Sequence, residues 1–135
     1  MTVSKLTGSA GVLIVQDVQK AADYWRDAVG FGYERMHGEP PNFCIVRRDG
    51  FSIMLAQIDD PARAPAPYWR VLPGLWNAYF WVDDAEALYS ELQQRGATID
   101  YTLGVKNYDG VRVKEFGIQD LDNHDIGFCE VLHED

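Results

Sequence analysis

The sequence has few cysteines, and it lacks long apolar runs and a leader-like N-terminal segment. No apolar stretch approaches the ~20 residues that span a bilayer, and the polar N-terminus lacks the apolar core of a signal peptide. The two cysteines, Cys44 and Cys129, are too few for a disulfide framework. We therefore expect residues 1–135 to form a single soluble, reduced domain in the cytoplasm, without a membrane partner.

Basic residues are also scarce, and the deficit lies in one half of the chain. The sequence has 12 Lys and Arg against 21 Asp and Glu, a formal net charge of -9. Residues 1–75 hold eight acids and eight bases, whereas residues 76–135 hold thirteen acids and four bases. A nucleic-acid partner is disfavoured, because such binding needs a basic surface. The asymmetry favours a cationic partner or ligand, unless the acidity serves solubility alone.

Proline is absent from most of the chain. All six prolines lie between residues 40 and 73, and four of them fall within residues 59–75. This stretch is predicted to be a proline-rich linker. It separates two modules of similar length, residues 5–58 and residues 76–132, which suggests an internal repeat.

The two modules do share a pattern, in which an apolar run is followed by a helix. Asp17 and Asp84 each end a short apolar run and can cap a helix N-terminus. After each aspartate, apolar residues recur at i, i+3, i+4 and i+7, the spacing of an amphipathic helix. Gly30 and Gly96 then suit a left-handed C-terminal cap. The sequence thus predicts one helix after the first strand of each module.

Three strand-like runs follow each helix, separated by the turn signals Asp49-Gly50, Asp109-Gly110 and Asp122-Asn123. Each module is therefore βαβββ, and the predicted fold class is α+β. Two such modules would form a curved mixed sheet with helices outside and a concave cleft inside. The predicted strands are residues 31–36, 43–47 and 51–58 in the first module and residues 97–103, 111–118 and 125–131 in the second.

This duplicated pattern resembles the vicinal oxygen chelate superfamily of glyoxalases, bleomycin-resistance proteins and dioxygenases, over almost the whole chain. The local motifs are most similar to the bleomycin-resistance branch, although its usual Asp-Pro-Asp-Gly turn reads Asp-Leu-Asp-Asn at residues 120–123. The resemblance implies a homodimer in which modules of two chains share each cleft, with a closed pairing of the modules within one chain as the alternative. The motifs are Lys5-Leu6-Thr7, Val12-Leu13 to Asp17-Val18, Tyr24-Trp25-Arg26-Asp27 to Gly30-Phe31, Phe80-Trp81-Val82, Leu88-Tyr89-Ser90-Glu91-Leu92 and Glu115-Phe116-Gly117.

Metal-dependent members of that superfamily hold a divalent ion at four repeat-related positions. The resemblance places these positions at Ala10, Met54, Asn77 and Gly127. Such side chains do not suit a cation that prefers imidazole and carboxylate ligands, so neither a metal nor another cofactor is predicted. The histidines are expected elsewhere, on the surface or in turns. They are His37 at a strand end, His124 in a turn and His133 in the tail.

Strand alternation predicts which side chains join these four positions on the concave face. The resulting cleft is apolar and aromatic, which is typical of ligand binding rather than acid–base catalysis. The predicted lining residues are Ala10, Val12, Ile14, Ser52, Met54, Ala56, Asn77, Tyr79, Trp81, Asp125, Gly127 and Cys129.

Aromatic faces beside carboxylates suit a flat cationic ligand, through stacking and cation–π contacts. Tyr79 and Trp81 are the main candidates, with core packing as their alternative. Trp69 and Tyr108 are expected on loops at the cleft, and three acids, Asp109, Glu115 and Asp125, near its mouth. No catalytic residue is predicted. The predicted ligand-binding residues are Trp69, Asn77, Tyr79, Trp81, Tyr108, Glu115 and Asp125.

Three functions remain open on the sequence alone. The first is a metal-free protein that resembles bleomycin-resistance proteins and sequesters a cationic aromatic compound at a dimer cleft. The second is a glyoxalase-, dioxygenase- or isomerase-like enzyme of the same superfamily, which acts through a divalent metal or a lone carboxylate such as Glu130. The third is a regulatory or structural protein whose cleft is vestigial.

Overall fold

The computed structural model describes residues 2–133 and confirms the α+β fold with two repeated modules. The first module contributes four strands and one long helix, and the second repeats this order after a linker. The elements are β1 (Ala10–Val15), α1 (Val18–Val29), β2 (Met36–His37), β3 (Phe43–Arg48), β4 (Phe51–Gln57), a 3-10 turn (Pro61–Arg63), α2 (Tyr68–Val71), β5 (Ala78–Trp81), α3 (Ala85–Arg95), β6 (Thr98–Tyr108), β7 (Val111–Gln119) and β8 (Asp125–Val131).

The long helices begin and end where the sequence predicts. The Asp17 carboxylate accepts a hydrogen bond from the Lys20 backbone N–H at 3.0 Å, and Asp84 caps α3 in the same way. Gly30 and Gly96 end the helices with φ of 79° and 90°, in the left-handed region that glycine enters without strain. Within residues 2–133, no helix is long and apolar enough to cross a membrane.

Each module has its own four-stranded mixed sheet. The strand orders are β1-β4-β3-β2 and β5-β8-β7-β6, with β1 parallel to β4 and β5 parallel to β8. Strand β2 is much shorter than the predicted strand 31–36. Gly32 forms an isolated bridge to Arg47, and Phe31 is 3% exposed and packs edge-on against Trp25. Strand β6 is instead longer than predicted and reaches Tyr108.

One hydrophobic core joins the two modules. Trp25 of α1 is fully buried in a cluster that includes Phe116 and Phe128 of the second sheet. Arg48 of the first module pairs with Glu91 of α3 at 2.7 Å, and this hydrogen bond and charge hold the pKa of Glu91 down at about 2. We call the side of each sheet that packs on the helices its helix face.

The opposite side of each sheet, here called its open face, carries exposed apolar side chains. Val12 and Ile14 of β1 are 58% and 42% exposed, and Trp81 of β5 is 72% exposed. In β1, the neighbours of Val12 and Ile14 are Leu13 and Val15, which are buried on the helix face, as alternation requires. Exposed apolar surface of this kind marks a binding or association surface.

Candidate functional site

Two paired glycines shape the open face of the second sheet. Gly117 of β7 lies directly opposite Gly127 of β8. A Cβ atom at Gly117 would overlap the ring of Tyr101, and one at Gly127 would lie 2.7 Å from the Tyr79 ring and 2.8 Å from the Trp76 ring. The missing side chains therefore allow three aromatic rings to lie against the sheet.

These rings belong to a larger surface, which we call the aromatic face. The centroids of Trp76 and Tyr79 are 4.4 Å apart, and those of Tyr79 and Trp81 are 5.3 Å apart. Tyr108 meets Trp76 edge-on at 6.4 Å. The aromatic face consists of Trp76, Tyr79, Trp81, Tyr101 and Tyr108.

Glu115 lies at the centre of the aromatic face and is 1% exposed. Its Oε2 accepts a hydrogen bond from the Tyr79 hydroxyl at 2.5 Å. Its Oε1 accepts from Tyr101 and from Tyr108, both at 2.9 Å. The Trp76 indole N–H donates to the Tyr101 hydroxyl at 2.9 Å, which completes the network.

The three tyrosines are protonated at neutral pH, so that each can donate to Glu115. Burial raises the pKa of Tyr79 and of Tyr101 far above the ordinary phenol value. The pKa of Tyr108 is raised to about 12, first by burial and then by its hydrogen bond to Glu115. Lys106 places its ammonium 5.6 Å from the Tyr101 ring centroid, and no basic side chain of residues 2–133 forms an ion pair with Glu115.

Four of the predicted ligand-binding residues are brought together here: Tyr79, Trp81, Tyr108 and Glu115. The other three, Trp69, Asn77 and Asp125, lie near the turn between β7 and β8. Trp69 and Tyr108 were expected on loops, but Trp69 lies in α2 and Tyr108 is the last residue of β6. The Trp69 indole N–H donates to the Asn123 carbonyl at 2.7 Å, and the Asn77 N–H donates to the Asp125 carbonyl at 2.8 Å. The predicted ligand-binding residues thus divide between the aromatic face and the neighbouring β7–β8 turn.

The positions of two predicted rim acids need correction. Glu115 and Asp125 were expected near the cleft mouth, but they are 1% and 7% exposed. Asp125 accepts a hydrogen bond from the Gln119 side chain at 2.8 Å, whereas Asp109 stays exposed at the β6–β7 hairpin. Hydrogen-bond donors on adjacent strands draw the two carboxylates into the sheet surface.

Sequence reasoning missed Trp76 and Tyr101, which complete the aromatic face. Trp76 precedes β5, and Tyr101 lies in β6 beside a break in the β6–β7 pairing register. The available signal was the pair of glycines in β7 and β8. Glycine inside a strand often marks the close approach of another group, here an aromatic ring.

Glu130 lies away from the aromatic face. Its side chain accepts a hydrogen bond from the Ala85 backbone N–H at 3.0 Å, at the N-terminus of α3 on the helix face. It therefore has a structural task and does not project into the open face. Cys129 is 1% exposed and burial raises the pKa of its thiol, so it is not poised as a thiolate nucleophile.

The residues present do not fit the metal site that the resemblance implies. Ala10 and Gly127 offer no side-chain donor, and Met54 offers a soft thioether. The rings of Tyr79 and Trp76 fill the space beside Gly127. Across residues 2–133, no group of three His, Cys, Asp or Glu side chains is arranged to hold a metal.

Comparisons with known proteins agree with this architecture. The chain superposes on TioX from Micromonospora sp. ML1 with a TM-score of 0.71 and 17% identity, over 93% of this chain and 99% of TioX. TnmS3, an antibiotic binding protein from Streptomyces sp. CB03234, gives 0.67 and 23%, over 97% and 100%. The bleomycin-binding protein of Streptomyces verticillus, solved with copper(II)-bleomycin, gives 0.65 and 22%, over 93% and 97%.

These solved structures share the fold of the chain at identities too low to transfer a function. No curated protein sequence matches the chain significantly. A family model, in contrast, covers residues 8–128, which is most of the sequence. The chain belongs to the Glyoxalase/Bleomycin resistance protein/Dioxygenase superfamily.

Proposed function

We propose that this protein binds a planar aromatic small molecule on the aromatic face and sequesters it without chemical change. One observation carries the proposal. Trp81 is 72% exposed at the side of an ordered aromatic surface that already contains Tyr79 and a buried carboxylate, Glu115. A large aromatic side chain left uncovered in this way offers a stacking surface.

A cationic ligand is favoured over a neutral one. Residues 76–135 carry the whole net charge of the chain, and the aromatic rings of the second module can bind a cation through their faces. Two structural relatives are described as bleomycin-binding and antibiotic binding proteins, which supports an antibiotic-like ligand here. Both cysteines are buried and free, which suits our further proposal that the protein acts in the cytoplasm.

A second copy of the chain is proposed to complete the cleft. The first sheet leaves Val12 and Ile14 exposed on its open face, and the second sheet leaves Trp81 exposed. One open face of each kind from two chains would enclose a cavity with an apolar wall and an aromatic wall. Burial of this surface would stabilise a homodimer.

Titration with metal-free bleomycin tests the proposal. We expect tryptophan fluorescence to change on binding, isothermal titration calorimetry to give a saturable heat, and the melting temperature to rise. Mass spectrometry should then recover bleomycin unmodified. Formation of a product would favour an enzyme. If neither bleomycin nor any other cationic aromatic antibiotic in a panel bound at millimolar concentration, sequestration would be wrong.

A further inference from the structure

The buried carboxylate of Glu115 lacks a cationic partner within residues 2–133, and it lies among the rings of the aromatic face. Three phenol hydroxyls stabilise it, at 2.5 to 2.9 Å. Neutral donors offset only part of what a carboxylate loses when it leaves water. A cation that reached Glu115 would therefore gain more than the same cation at an exposed carboxylate.

The three tyrosines are not equivalent. The Tyr101 ring lies over Gly117 and its hydroxyl also accepts the Trp76 N–H. The Tyr79 ring lies over Gly127, between two tryptophan rings. These two donors are fixed by packing as well as by their hydrogen bonds to the carboxylate.

Tyr108 is held much less firmly. It is the last residue of β6, next to the Asp109-Gly110 turn, and is 44% exposed. On the strand ladder Glu115 faces Gly104, so the Tyr108 side chain must reach back along the sheet to donate to Oε1. Water at the hairpin tip can solvate its hydroxyl if this hydrogen bond breaks.

We propose that Glu115 anchors the cationic group of the ligand, and that an amidinium, guanidinium or ammonium group displaces the Tyr108 hydroxyl from Oε1 when it binds. This inference rests on the proposed function and adds the group that the site recognises. Tyr79 and Tyr101 remain in place and orient the carboxylate. The exchange replaces a neutral donor with a charged one, and charge-assisted hydrogen bonds are the stronger kind.

A matched pair of planar probes tests the anchor by calorimetry on the full chain. Naphthalene-2-carboxamidine carries an amidinium, and naphthalene-2-carboxamide is its neutral counterpart. We expect the wild-type protein to bind the amidine about tenfold more tightly than the amide, or better. Glu115→Gln should lower amidine affinity to that of the amide and change amide affinity by less than about twofold. Glu86→Gln removes the same charge from exposed α3 and should leave the ratio intact.

The variant Tyr108→Phe separates displacement from direct contact, and its exposed position makes it safe for folding. Because the ligand no longer competes with a hydroxyl, the amidine should bind Tyr108→Phe several-fold more tightly than wild type, and an unchanged affinity would overturn the exchange. A tenfold loss would show that Tyr108 contacts the ligand, and would overturn the exchange. If Glu115→Gln unfolds below the temperature of the experiment, amidine binding to Tyr108→Phe tests the displacement. The preference of the wild-type protein for the amidine over the amide then tests whether Glu115 anchors the cationic group.

The failure of the anchor can be told apart from the failure of the proposed function. If the two probes bind wild type equally well, the aromatic face is a site but Glu115 does not anchor a cation. If neither probe binds while bleomycin does, the proposal that Glu115 anchors the cationic group is likewise overturned. If bleomycin and the other antibiotics also fail to bind, the proposed function falls with it.

Discussion

At the scale of single residues, the absence of a side chain matters as much as its presence. Gly127 stands where metal-dependent relatives of this fold would place a ligand, and an aromatic ring occupies the space that a side chain would need. Gly117, on the strand next to that of Gly127, likewise leaves space that the ring of Tyr101 occupies. The aromatic face therefore depends on two glycines that make no contact of their own.

Replacing Gly127 with alanine should destabilise the protein and disturb the aromatic face. The new Cβ would lie 2.7 Å from the Tyr79 ring, so the ring must move. We expect a loss of about 1–3 kcal/mol in the free energy of unfolding, measured in urea. Gly104→Ala is the matched control, because a Cβ there meets nothing within 4 Å. Equal effects of the two changes would contradict this account.

Trp81 is expected to affect binding more than stability. Its side chain is mostly in water, so Trp81→Ala should cost little in unfolding free energy while bleomycin affinity falls by about 1–3 kcal/mol. Val105→Ala, at an exposed side chain on the other side of the second sheet, should leave the affinity unchanged. A Trp81→Ala protein that loses stability but keeps full affinity would assign Trp81 to packing.

At the scale of elements, features that depend on nearby residues were predictable. The helix caps at Asp17 and Asp84 follow from a few adjacent residues, and strand alternation correctly placed Leu13 and Val15 under the helices. The short strand β2 was not predictable in this way. Phe31 begins the predicted strand 31–36, yet its ring packs against Trp25 of α1 and it lies outside β2.

The site itself was predictable only in part, because it depends on contacts distant in sequence. Alternation placed Tyr79 and Trp81 on one face, but it cannot show that a hydroxyl from the end of β6 reaches Glu115. The register break between Ile99 and Gly104 also removes the regular alternation that would have revealed Tyr101. Predicting these positions requires the geometry of the folded sheet.

The turn between β7 and β8 should make stability depend on pH. His124 lies in this turn as expected, but it is 7% exposed and its Nδ1 lies 2.8 Å from Asp120 Oδ2. Burial alone would lower the pKa of His124. The hydrogen bond and charge of Asp120 outweigh burial, so this pKa is raised above its ordinary value.

The direction of the pH effect follows from that raised pKa. A folded state that binds a proton more tightly gains stability on protonation, fully below the ordinary histidine value near pH ~6.5. This stabilisation is lost as pH rises through the higher pKa of the folded protein. Urea unfolding from about pH 5 to about pH 9 should show it as a wild-type advantage over His124→Asn that shrinks with rising pH. A constant difference between the two proteins would contradict the assignment.

At the scale of the whole molecule, the two modules divide their tasks unequally. The modules share one hydrophobic core through their helix faces, while Val12, Ile14 and Trp81 stay exposed on the open faces. The first module is electrically balanced and leaves an apolar open face, whereas the second is acidic and leaves an aromatic one. Such complementary modules suit a homodimer in which the apolar open face of each chain contacts the aromatic open face of its partner.

A charge placed on the first open face should therefore separate the proposed dimer. Val12 is 58% exposed in the chain, so Val12→Asp has little reason to unfold a protomer, but it would place a carboxylate in the proposed interface. We expect sedimentation equilibrium at micromolar concentration to give a dimer for wild type and a monomer for Val12→Asp. Val105→Asp is the control, since Val105 is similarly exposed and pairs with Lys114, whose ammonium lies 4.0 Å from Glu86 on the helix side. A monomeric wild type would show that a single chain presents the aromatic face unaided, and bleomycin affinity should then be the same for all three proteins.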